Sequence, residues 1–183
     1  MNKPSVRRFG EKLSELFSSK RMVVFLCGPS LNSENPKPGA ILRKKLQDLL
    51  EEHKFEVVLG EDDGLESLRK KYTQMAHLNE IKFIEKECGA IVLIADSVGS
   101  YCELGLFSYL HPEYSNKTDF IVIIDKKHEP SVSYLNEGPA RAVKVHGMLI
   151  YTALDEYGGE EVLRRLEDRR AIYISDGRGR PGA

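Results

Sequence analysis

Between residues 96 and 103 the chain gathers Asp96, Ser97, Gly99, Ser100 and Glu103, two carboxylates and two hydroxyls around a glycine. A fixed carboxylate in such a set can act as a nucleophile or stabilise developing positive charge, while hydroxyls and free backbone N–H groups can hold polar ligand atoms. Glu103 also has a plainer reading. Ser100-Tyr101-Cys102-Glu103 fits a capping box with Ser100 as N-cap and Glu103 at N3, an arrangement that stabilises a helix start by roughly 1 kcal/mol without any chemistry. The two readings are compatible, because the dipole of a first helical turn keeps a carboxylate ionised.

The elements around this stretch follow from hydropathy. Residues 91–95 are continuously apolar, as in a strand buried on both faces of a parallel sheet, and a helix pattern follows until Pro112. Ligands of open α/β sheets sit beyond the carboxyl ends of the strands, so the turn at 96–100 falls on the functional rim. A first strand over 22–27 ends in Cys27-Gly28-Pro29-Ser30, where Gly28 permits a close backbone approach and Ser30 and Asn32 offer hydrogen bonds; a plain strand-ending turn accounts for the same residues. The loop 30–39 is long for a strand-to-helix connection, as binding loops often are. Over 40–53, Ile41, Leu42, Leu46, Leu49 and Leu50 form one helix face and Arg43, Lys44, Lys45 and Glu51 the other. A strand at 55–59 closes on the acidic turn 60–64. There Asp62 is a candidate to orient a substrate hydroxyl, and a solvated turn is the alternative.

Residues 65–88 read as one long helix or two shorter ones, 120–125 and 148–152 as strands, and 155–170 as the last helix. An amphipathic helix over 4–19 precedes the sheet, with Val6, Phe9, Leu13, Leu16 and Phe17 at helical spacing. Alternation of helices and strands predicts an α/β, Rossmann-like (flavodoxin-like) five-stranded parallel sheet with helices on both faces. The organisation expected is an N-terminal helix at 1–20, one domain at 21–172 and a flexible tail at 173–183.

Three segments carry a resemblance to a known family. Ser97-Val98-Gly99-Ser100-Tyr101-Cys102-Glu103-Leu104-Gly105 resembles the active-site turn of the nucleoside 2-deoxyribosyltransferase-like family, which has Glu-Leu-Gly or Glu-Ile-Gly there. Phe25-Leu26-Cys27-Gly28-Pro29 is similar to that family's first strand and glycine turn. Together with Glu137-Gly138-Pro139-Ala140-Arg141, these resemble the N-glycosidase effectors of bacterial retron anti-phage systems over residues 20–145. The resemblance implies cleavage of the bond between a base and C1 of a ribose or deoxyribose, with Glu103 catalytic. It also implies that Cys27, Gly28, Pro29, Ser30, Asp62, Ser97, Gly99, Ser100, Asn136 and Arg141 line the substrate pocket. A second acidic residue supports the catalytic Glu in that family. Here Gly89 stands where an Asp is common, so Glu80 or Asp96 is the expected substitute. By the same comparison, the DNA-binding C-terminal domain of retron effectors is expected to be missing.

The resemblance also implies the partners: a nucleoside, nucleotide or NAD as substrate, further copies of the chain, and a defence-system partner such as a reverse transcriptase with its RNA and DNA. Transfer of the sugar to a second base in nucleotide salvage, or nucleotide sensing without turnover, remain alternatives on the same fold. Composition narrows the classes further. A net charge of −1 supplies no general electrostatic drive toward nucleic acid. Cys27, Cys88 and Cys102 have no zinc spacing, so no metal or cofactor is expected and the thiols read as reduced, cytoplasmic cysteines. Apolar runs fall far short of the roughly 20 residues that a membrane-spanning helix needs.

Overall fold

The computed structural model describes residues 4–32, 34–61, 65, 75–114 and 117–181. Helix α1 (Pro4–Ser19) leads into a short strand β1 (Lys20–Arg21) and then β2 (Val23–Cys27). Next come α2 (Pro38–Glu52), β3 (Glu56–Leu59), α3 (Ala76–Glu87), β4 (Ala90–Ala95) and α4 (Val98–Leu110). The chain continues through β5 (Asp119–Asp125), α5 (Tyr134–Glu137), α6 (Pro139–His146), β6 (Met148–Thr152), α7 (Glu160–Ser175) and β7 (Arg180–Pro181).

Five strands form one parallel sheet in the order β3-β2-β4-β5-β6, as expected of a Rossmann-like α/β fold. Every residue of β2 and β4 is buried, which is why both read as unbroken apolar runs rather than alternating ones. The period of two shows in the core instead. Val24, Leu26, Val92, Ile94 and Ile123 meet Leu42, Leu46 and Leu50 of α2 and Val162 and Leu166 of α7. On the opposite face Phe25, Cys27, Ile91, Leu93 and Val122 meet Ile84 of α3, Leu104 and Phe107 of α4, and Val143 of α6.

Two local expectations change, and a third position gains a packing reason. Arg43, read as part of the outer face of α2, is buried with 2% exposure. Gly89 has a packing reason to lack a side chain, since a Cβ there would lie 2.7 Å from Met22 and 2.8 Å from Tyr173. The tail expected to be flexible from residue 173 is docked over residues 173–181, the first three of them closing α7. Arg180 and Pro181 pair antiparallel with Arg21 and Lys20, and Arg180 bonds to Glu56 and Glu87. Arg178 donates to the Cys88 carbonyl and lies over the Tyr173 ring. Arginines in a short polar stretch look solvated in sequence, but here they meet acceptors that open at the amino-terminal end of the sheet.

Candidate active site

The rim begins where β4 hands over to α4. Ser97 is the N-cap: its hydroxyl accepts from the Ser100 N–H at 3.2 Å, and the Ser100 hydroxyl in turn accepts from the Ser97 N–H at 2.8 Å. The capping box therefore runs from Ser97 to Ser100, three residues earlier than the spacing Ser100 to Glu103 suggested. Both hydroxyls are used inside the turn, since Ser100 also donates to the Ser97 carbonyl. Gly99 is exposed with open space around it.

The shifted helix start changes what Glu103 is. It lies about one and a half turns into α4, beyond reach of the N-terminal N–H groups that keep a first-turn carboxylate ionised. Its side chain is half-buried, and Oε2 is sealed from solvent without a hydrogen-bond partner. Burial, with Glu80 and Glu61 adding like charge and Arg43 opposing them, pushes the Glu103 carboxyl up to about 7. The adjacent Cys27 thiol, buried at the end of β2, is pushed well up by burial first and then by Glu103 and Glu80. It is an inert thiol against the carboxylate rather than a nucleophile.

The other wall comes from α2 and the turn after β3. Arg43 Nη2 and Nε donate to the Leu26 carbonyl at 2.7 and 3.2 Å, and Nη1 donates to the Pro29 carbonyl at 3.1 Å. The same guanidinium takes both oxygens of Glu61, at 2.7 and 2.9 Å. Gly28 sits between these anchors with φ +153°, and a Cβ there would lie 3.3 Å from Arg43 Cδ and from Ile94. The close approach expected at Gly28 is thus made by the protein's own side chains. Glu80 of α3 borders the turn, with Oε1 3.4 Å from where a Gly60 Cβ would be. Pro29 is buried, and the Ser30 hydroxyl accepts from the Asn32 N–H at 3.2 Å.

Of the remaining candidates, three are drawn elsewhere. Asp96 accepts from the Gly39 N–H at 3.0 Å and closes the N-terminus of α2; a Gly39 Cβ would lie 2.6 Å from its Cβ. This joins the end of β4 to the start of α2. The Asn136 amide donates to the His128 and Ser131 carbonyls, both at 2.7 Å, and its oxygen accepts from the Tyr151 hydroxyl at 2.6 Å. That set occupies its polar atoms in holding the segment after β5. Arg141 is exposed on α6 and pairs with Glu137 at 3.6 Å. Asp62 lies outside the described residues.

The constellation brought together is therefore Glu103, Glu80, Cys27, Arg43 and Glu61. Sequence reasoning missed Arg43, although position 43 shares a helical stripe with Leu46 and Leu50. Glu61 was seen only as part of an acidic turn. Among the described residues no group of three or more His, Cys, Asp or Glu is placed to hold a metal ion, and no helix is long and apolar enough to cross a membrane.

A parallel Rossmann-like sheet with a desolvated glutamate at the carboxyl end of its central strand defines an α/β protein equipped for carboxylate chemistry at the usual ligand rim. A family model for the STM3845 retron effector protein matches residues 40–173, and the chain belongs to that family. Membership points to a role in anti-phage defence alongside other retron components. The matched span includes Arg43, Glu61, Glu80 and Glu103 and begins after Cys27 and Gly28. No curated protein matches the chain.

Proposed function

We propose that this protein is an N-glycosidase effector that cleaves the bond between a base and C1 of a ribose or deoxyribose in a nucleoside, nucleotide or NAD. The observation that carries the reading is the Glu103 carboxyl, half-buried and lacking a hydrogen-bond partner at Oε2. A carboxylate held this way has no capping task and bears a desolvation cost, as carboxylates poised for chemistry do. Departure of a base leaves an oxocarbenium-like sugar, which a carboxylate beneath C1 stabilises or captures as a glycosyl-enzyme intermediate. Water then completes hydrolysis, whereas a second base would complete transfer. Glu80 supplies the second carboxyl group in this reading, because its like charge bears on Glu103. In this reading the resemblance to nucleoside 2-deoxyribosyltransferases reflects shared chemistry, and the defence role is depletion of a nucleotide-type metabolite.

Partners belong to the same reading: further copies of this chain, and a retron reverse transcriptase with its RNA and DNA controlling the activity. Incubation with nucleosides, nucleotides and NAD, with and without the retron partners, followed by chromatography for free base, tests the proposal. Free base is expected from at least one of them, with activity per chain rising with protein concentration if the site is completed by assembly. Ligand binding without free base anywhere in the panel would replace the enzyme by a sensor.

A further inference from the structure

Arg43 is unusual for its position. The other buried positions of α2 are Gly39, Ala40, Leu42, Leu46 and Leu50, and a guanidinium with 2% exposure is rarely found in such a row. Packing alone gives no reason for it, since replacing a buried ion pair by apolar side chains of similar volume is often neutral or stabilising. Its bonds have a definite geometry. The Leu26 and Pro29 carbonyls bracket Cys27 and Gly28, so three donors from one planar group fix the turn after β2. Two more donors fix Glu61 and with it the turn after β3. Both turns lie at the carboxyl end of the sheet, where Glu61 and Arg43 act electrostatically on Glu103.

We propose that Arg43 is the positioning residue of this site, clamping the turns after β2 and β3 around Glu103 and setting the charge that Glu103 meets. This rests on the glycosidase reading for its catalytic consequence only. Among the described residues, the groups that act on or are acted on by Glu103 are Cys27 from β2, Glu80 from α3, Glu61 after β3 and Arg43 from α2. Among the described residues two of the three charged neighbours are acids, and the guanidinium is the cation that favours the ionised form. Arg43 opposes the like charge of Glu80 and Glu61 at Glu103, while its guanidinium is held in place by the two carbonyls and by both Glu61 oxygens. A lysine would keep the charge but has no fork with which to hold two carbonyls and a carboxylate together.

The test uses the full chain labelled with carbon-13 at glutamate side chains. Glu103 is identified by the resonance lost in Glu103→Gln and is titrated by NMR. Arg43→Gln is expected to raise its midpoint by about half a pH unit or more, and Glu61→Gln to lower it, because each removes one end of the same pair. Base release at pH 7 should fall at least tenfold in Arg43→Gln, with Arg43→Lys recovering part of the loss. Opposite shifts in the two variants are a signature that a purely structural arginine would not produce. If Arg43→Gln does not fold, the more exposed Glu61→Gln decides, and a midpoint unmoved in either folded variant overturns the proposal. Absence of base release from the wild type would remove the glycosidase reading while leaving the titration to judge Arg43.

Discussion

At the amino-terminal end of the sheet, Asp119 is buried, and it receives the Arg165 Nε and Nη2 donors at 2.6 and 2.7 Å with Arg169 3.9 Å away. Glu56 and Glu87 there share Arg180, and Arg178 takes the Cys88 carbonyl. At the carboxyl-terminal end, Glu103, Glu80 and Glu61 lie around Arg43, whose bidentate bonds go to Glu61. The amino-terminal end thus matches acids with guanidinium groups, as a structural end does. By contrast, the carboxyl-terminal end leaves one desolvated carboxyl oxygen unmatched, at a cost that folding alone gives no reason to bear. Asp125, half-buried near the same rim, shows what a matched acid looks like: N–H donation and then ion pairing from Lys127 lower its pKa.

The largest effect expected is at the unmatched end. Glu103→Gln keeps the volume and removes the charge, so base release should fall about a thousandfold, equivalent to roughly 4 kcal/mol of barrier. With a glutamate raised from 4.5 to about 7, the wild-type rate should rise with pH through the neutral range if the ionised form acts. Stability has the opposite sign. The folded state holds this proton more tightly than the unfolded chain, so the contribution is present below about 4.5 and is lost as pH rises through about 7. Glu103→Gln should accordingly melt higher than wild type at pH 8, by on the order of 2 kcal/mol, and match it at pH 4. A variant that kept most of the rate would erase the contrast between the two ends.

The next effect is at the matched end. Asp119→Ala leaves Arg165 and Arg169 facing a buried gap and should cost about 3 kcal/mol in denaturant unfolding, with base release per folded molecule unchanged. Loss of activity in a folded Asp119→Ala protein would mean that the two ends are coupled. The smallest effect concerns the docked tail. Removing residues 176–183 deletes the Arg178 and Arg180 contacts and the β1 pairing, which should lower stability by about 1–2 kcal/mol. An unchanged melting temperature would show that these arginines contribute nothing net.

The order of elements was legible from residue pattern alone, because strands such as Val23–Cys27 and Ala90–Ala95 are buried on both faces and carry nothing polar. Glu103 could be singled out as well, since a strand-to-helix turn at the rim of a parallel sheet is where ligands meet a protein. Its immediate setting was less legible. A capping box at Ser97 and Ser100 and one at Ser100 and Glu103 both start from a serine, and three positions separate a first-turn carboxylate from one set deeper in α4. The choice depends on where β4 ends, which is set by its pairing with β5 through Ala95.

What the linear chain determined by itself is therefore the layering: apolar runs that exclude water on both faces must be covered by helices, whatever else the chain does. Which charges are buried was decided only in three dimensions. Arg43 lies among residues that read as a solvated face, and it is interior because Leu26, Pro29 and Glu61 bring acceptors to it from other elements. Asp96, adjacent to the candidate turn in sequence, is withdrawn from it by the Gly39 N–H. Burial of a charge depends on partners supplied across the fold, and hydropathy along the chain contains no record of them.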